Sequence, residues 1–134
     1  MSADPKLKQQ VEQLIAENRV LLFMKGTPEA PRCGFSMRVV NVLEQLGVEY
    51  GAVDVLPALG PLREVTREIA DWQTFPQLYV DGELVGGCDI VEEMFESGEL
   101  ADLLGASQPA GAQLPPAERI LPGGPQQSLP MQID

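Results

Sequence analysis

The chain has 134 residues, enough for one domain with a single core and an extension. Lys and Arg number 9 against 20 Asp and Glu, a net charge of −11, which is the wrong sign for gripping a phosphate backbone and excludes nucleic acid as an expected partner. There is no histidine, so a Ser-His or Cys-His dyad within one chain is excluded, and two cysteines are too few for a disulfide framework.

In chain order, Asp4-Pro5 reads as an N-cap followed by an N1 proline. It opens a helix through about Asn18, with Val11, Leu14 and Ile15 on one face. Val20–Met24 is an unbroken apolar run, as expected of a strand buried on both faces. Lys25–Arg32, with Gly26, Pro28 and Pro31, reads as a loop. A helix follows from Cys33 to Leu46, with Phe35, Val39, Val42, Leu43 and Leu46 at helical spacing and Gly47 as its stop. A strand is expected near Tyr50–Val55. Breaks at Pro57, Gly60 and Pro61 precede a third helix carrying Leu62, Val65 and Ile69. Gln77–Val80 and Glu83–Val85 flank Asp81-Gly82, a type I′ hairpin signal. Gly86-Gly87 leads into a helix from about Asp89 to Gly98, and a final turn stops at Gly105. The order α-β-α-β-α-β-β-α describes an α/β fold: a four-stranded mixed sheet flanked by helices, with a right-handed parallel pair and a hairpin. Residues 1–105 form this domain. Residues 106–134 are rich in Pro and Gly, nearly free of charge, and read as a disordered tail.

Cys33-Gly34-Phe35-Ser36 is the segment that carries chemistry. A thiol at a helix start meets unpaired N–H groups and the positive end of the helix dipole, which stabilise a thiolate. A two-cysteine redox loop would carry its second Cys at position 36, where this chain has Ser36. No neighbour can close on Cys33 to expel a bound thiol. Such a thiolate is suited to holding a small thiol or a metal cluster. The basic residues Lys25, Arg32, Arg38, Arg63 and Arg67 cluster around and after it and could receive a small anion.

Four ordered segments, Met24-Lys25-Gly26-Thr27-Pro28, Cys33-Gly34-Phe35-Ser36, Trp72–Tyr79 and Gly86-Gly87-Cys88-Asp89-Ile90, resemble the signatures of the monothiol (CGFS-type) glutaredoxins. The resemblance runs from about residue 8 to residue 104 and implies a thioredoxin-like fold. By that resemblance Cys33 is the active cysteine and supplies one thiolate ligand to a [2Fe-2S] cluster shared by two subunits, the remaining ligands being glutathione thiols. Lys25 and Arg63 match residues that meet the glycine carboxylate of glutathione. Phe75, before the family's cis-proline, matches the residue whose backbone pairs with the cysteinyl part, and Cys88 and Asp89 match the pair that holds the γ-glutamyl end. The chain departs from the pattern at Gln73, where the family usually has proline, and its Leu56–Pro61 loop is one residue longer than is common.

The resemblance implies a homodimeric iron–sulfur carrier that delivers its cluster to apo-proteins, with a BolA-like protein as a further partner. The alternatives are a glutathione-dependent thiol–disulfide oxidoreductase and a cluster-sensing interaction module. No apolar stretch approaches the ~20 residues of a membrane span. The first residues carry neither a secretory core nor a transit pattern, so the expected location is the cytoplasm and no membrane is expected as a partner.

Overall fold

A computed structural model describes residues 3–106 and 127–128. Helix α1 spans Pro5–Glu17 and is capped by Asp4, whose side chain accepts from the backbone N–H of Lys6. It leads into strand β1, Val20–Met24, every residue of which is buried. The alternation of a strand divides these residues between two cores. Val20, Leu22 and Met24 face one cluster, and Leu21 and Phe23 face the other. Helices α2 (Gly34–Leu46), α4 (Cys88–Ser97) and α5 (Glu99–Leu104) supply the first cluster, while α1 and α3 (Leu59–Ala70) supply the second.

Strand β1 pairs in parallel with β4 (Gly51–Asp54) and antiparallel with β5 (Gln77–Val80), which forms a hairpin with β6 (Glu83–Gly86). Both turn residues of that hairpin, Asp81 at φ 52° and Gly82 at φ 83°, are left-handed, as a type I′ turn requires. The four-stranded mixed sheet expected from the sequence is therefore present, in the order β6-β5-β1-β4. Two residues of the C-terminal segment, Gln127–Ser128 (β7), pair in parallel with Gly51 and Ala52 at the β4 edge. The rest of the expected disordered tail lies outside the described residues. Ala106 packs on the first core.

Local readings differ at three places. Lys25–Arg32 is not irregular throughout: Gly26–Thr27 (β2) pairs antiparallel with Ala30–Pro31 (β3), steadied by the Ala30 N–H donating to Thr27 Oγ1. Gly60 and Pro61 do not break the chain but lie in the first turn of α3, where proline's missing N–H would have no partner. Phe35 is 61% exposed and does not join Val39, Val42, Leu43 and Leu46 in the core. It stands in the first turn of α2, beyond the edge of the packed face.

Candidate functional site

Three segments meet at one end of the sheet. The first is the approach to α2. The Lys25 N–H donates to Ser36 Oγ at 3.1 Å, and the Arg32 N–H donates to the Lys25 carbonyl at 2.9 Å. The Gly26 N–H donates to Asp54 Oδ1 at 3.0 Å, tying the turn to the end of β4. Gly26 sits at φ +90°, and a Cβ there would stand 2.5 Å from the Ala30 carbonyl oxygen, so only glycine closes this loop. These bonds set Cys33 in extended conformation as the N-cap of α2, its side chain making no capping bond. The thiol is free and half-buried. Ser36 is fully buried. Where a second thiol would stand, its hydroxyl fixes the backbone of Lys25.

The second segment is Trp72–Pro76. It ends in a cis Phe75–Pro76 peptide, and its backbone is held from below by Gln77, whose Nε2 donates to the Trp72 carbonyl at 3.2 Å. The Tyr79 hydroxyl donates in turn to Gln77 Oε1 at 2.8 Å. The third is the entry into α4. Gly86 lies at φ +146°, and a Cβ there would meet Ile90 Cδ1 at 2.6 Å, so the glycine lets the first turn of α4 sit against the hairpin. Gly87 is the N-cap. The first N–H groups of α4 have no partner within the helix.

Between these segments runs a groove of about 330 Å³, with Phe35 at one side, Trp72 and Thr74–Pro76 along another, and Gly87–Ile90 at the third. Its size and mostly apolar lining with a few polar groups are those of a small-molecule site. Trp72 lies against Gly87, and its buried Nε1–H has no acceptor among the described residues. Phe75, Cys88 and Asp89 therefore line one groove. Cys33 stands just before Phe35, at the start of the helix whose first turn flanks the groove. Lys25 is tied to that turn through Ser36. Arg63 is exposed on α3 and is not among the lining residues.

The two thiols differ. Cys88 is 8% exposed, and burial pushes its thiol up to about 11; Glu92 and Asp89 add to the shift, and Arg38 opposes it. Cys88 is thus a neutral thiol near neutral pH, and what it presents at the helix start is its backbone N–H. The basic cluster read from the sequence is partly committed. Arg38 pairs with Glu92, and Arg67 with Glu64 at 3.3 Å. Lys25, Arg32 and Arg63 form no ion pair among the described residues. Sequence reasoning missed the buried acceptor role of Ser36, the orphan indole N–H of Trp72 and the Arg38–Glu92 pair. Only the apolar spacing of α2, which places Ser36 beside the buried Val39 and Val40, hinted at the first.

The Glutaredoxin family model matches residues 20–85. Over 94 residues the chain is 53% identical to Probable monothiol glutaredoxin 2 of Rickettsia typhi, covering 70% of this chain and 84% of that protein. The chain belongs to the monothiol glutaredoxin family. It is also 56% identical over 102 residues to Monothiol glutaredoxin-S11 of Oryza sativa subsp. japonica, covering 76% of this chain. It spans only 21% of that longer relative. Reduced poplar apo GrxS14 has the same fold, with a TM-score of 0.66 and 44% identity over 76% of this chain and 93% of that one. A buckwheat glutaredoxin–glutathione complex matches at a TM-score of 0.65 and 25% identity, over 75% of this chain and 88% of that one.

Proposed function

We propose that this glutaredoxin binds glutathione in the groove and that two chains together hold a [2Fe-2S] cluster on two Cys33 thiolates and two glutathione thiols, for delivery to apo-proteins. The observation that carries the reading is the pairing of one accessible thiol, at a helix start, with a groove that ends at a second helix start. The first sets the free, half-buried Cys33 thiol at the N-terminal end of α2. The second offers N–H groups to a carboxylate, with the exposed Asp89 available to an ammonium group. Such a groove suits a small zwitterionic peptide.

Cluster irons favour thiolates and need four in all. Ser36 is committed to Lys25 and the Cys88 thiol stays protonated, so each chain offers one cysteine thiolate. The remaining ligands must come from a second chain and from small thiols, and the groove flanked by Phe35, in the first turn of the helix that Cys33 caps, supplies a place for the latter. Ligands held without a covalent bond to the chain favour release, as delivery requires. A BolA-like protein contributing its own ligand, and a reducing cytoplasmic location that keeps both thiols free, belong to the same proposal.

The test is anaerobic reconstitution with iron, sulfide and glutathione on three forms of the chain. Wild type and Cys88→Ser should take up the cluster, the latter because serine keeps the backbone N–H. Cys33→Ser should not, because a hydroxyl is a hard substitute for a soft thiolate. A cluster on Cys33→Ser contradicts the ligand assignment. The half-buried Cys33 thiol also favours a second reading, glutathione-dependent thiol exchange. In it the Cys33 thiolate takes the glutathionyl sulfur from a mixed disulfide and releases the protein thiol, and a second glutathione then frees Cys33 as glutathione disulfide. A coupled reductase assay measures that turnover directly.

A further inference from the structure

Helices α2 and α4 pack against each other behind the groove, and one charged contact joins their first halves. Arg38, on α2, donates from Nε to a carboxylate oxygen of Glu92, on α4. The pair is largely shielded, with side chains 24% and 13% exposed. The Arg38 guanidinium also acts on the Cys88 thiol, opposing the upward shift that burial causes there. Glu92 lies one helical turn beyond Cys88, and the Cys88 sulfur, an Asp89 carboxylate oxygen and a Glu92 carboxylate oxygen all lie within 4.8 Å of one another. Two carboxylates thus converge beside Cys88, where Asp89 lines the groove, and Arg38 is the cation paired with Glu92.

We propose that Arg38 is a positioning residue for the amino-acid-like end of the bound peptide: by neutralising Glu92 it leaves Asp89 as the single uncompensated carboxylate there. The inference rests on the glutathione reading above. The γ-glutamyl end carries an ammonium and a carboxylate. Asp89 attracts the first, and the N–H groups of α4 attract the second. An unpaired Glu92 would repel that carboxylate from a few ångströms away, in a partly shielded site where charges act strongly. It would also compete with Asp89 for the ammonium, since a carboxylate stripped of its partner and only 13% exposed gains by finding another cation. The pair is a feature of electrostatic selection, and its mark is that removing both charges does less harm than removing one.

The experiment is calorimetric titration of reduced glutathione into the full chain, its Arg38→Gln and Glu92→Gln variants, and the double variant. Arg38→Gln should weaken binding about fivefold, as expected for one added like charge in a half-shielded site. The double variant should return to within about twofold of wild type, because the repelling charge is gone. A tie that merely holds the two helices together would leave the double variant as weak as Arg38→Gln, and that result overturns the proposal. So does Arg38→Gln binding as wild type does. Should Arg38→Gln fail to fold, Glu92→Gln alone decides: binding at least as tight as wild type supports the proposal, and a fivefold loss overturns it. No binding by wild type, or none lost in Asp89→Ala, overturns the glutathione reading itself, a separate outcome.

Discussion

Replacing Ser36 with alanine probes the joint between the thiol helix and the loop before it. The hydroxyl is fully buried and accepts the Lys25 N–H at 3.1 Å. Alanine removes the acceptor and leaves that N–H without its partner. Stranding a buried donor costs about 1–3 kcal/mol. Lys25 is half-buried, and the lower part of that range, about 1–2 kcal/mol, is expected. For a domain of this size the loss corresponds to a fall in Tm of roughly 5–10 °C. Urea unfolding should show a lower midpoint with an unchanged slope, since the surface exposed on unfolding is the same. Ser97→Ala serves as the control, because that hydroxyl is exposed at the end of α4 and its loss should stay within about 0.5 kcal/mol. Glutathione affinity should fall along with stability in Ser36→Ala, because Lys25 loses its anchor. A stability change as small as that of the control would refute the reasoning, showing that the Lys25 N–H finds another acceptor.

Iodoacetamide near neutral pH should label Cys33 and spare Cys88, whose thiol is buried and pushed up to about 11; mass spectrometry of the digested chain reads both sites. Burial, reinforced by Glu29, pushes the Glu44 carboxyl up to about 7, and Glu44 Oε1 has no hydrogen-bond partner among the described residues. The folded chain therefore holds a proton there that the unfolded chain releases at lower pH, and this contribution to stability is lost as pH rises from the ordinary carboxylate range to about 7. Glu44→Gln should accordingly be more stable than wild type at about pH 8 and nearly equal to it at about pH 5, as followed by chemical unfolding at both. Lys25→Ala should weaken glutathione binding about tenfold, as the loss of a charge-assisted hydrogen bond implies, and Arg63→Ala by less because its side chain is exposed where that of Lys25 is half-buried; titration calorimetry ranks the two.

The parts of the fold that were legible are those marked by backbone chemistry. Gly47, Gly98 and Gly105 all sit at positive φ where a helix ends, and Asp81-Gly82 forms the hairpin turn. The unbroken apolar run of β1 announced a strand with a core on each side. Less legible were features too short or too distant to leave a pattern. The β2–β3 pairing has two residues per strand and no periodicity to read. Phe35 has helical spacing with Val39, yet it stands in the one turn of α2 that flanks the groove rather than the core. Of the residues that the resemblance names, Phe75, Cys88 and Asp89 come together in one groove. The bonds that set their surroundings were not. Ser36 reads from the sequence as a missing thiol and acts in the structure as an acceptor for a residue eleven positions away. Arg38 reads as one of a basic cluster and is instead paired across 54 residues with Glu92, a partner that only the packing of α2 on α4 reveals.

The central claim is that each chain brings half of a shared ligand set, so that cluster uptake and pairing of chains are one event. Sedimentation velocity of the reconstituted chain, recorded at the visible absorbance of the cluster, tests it most directly. The account predicts that the colour sediments as a dimer while the apo chain sediments as a monomer, and that colour and dimer disappear together when glutathione is removed. Colour sedimenting with the monomer, or a dimer that keeps its cluster without glutathione, would contradict it.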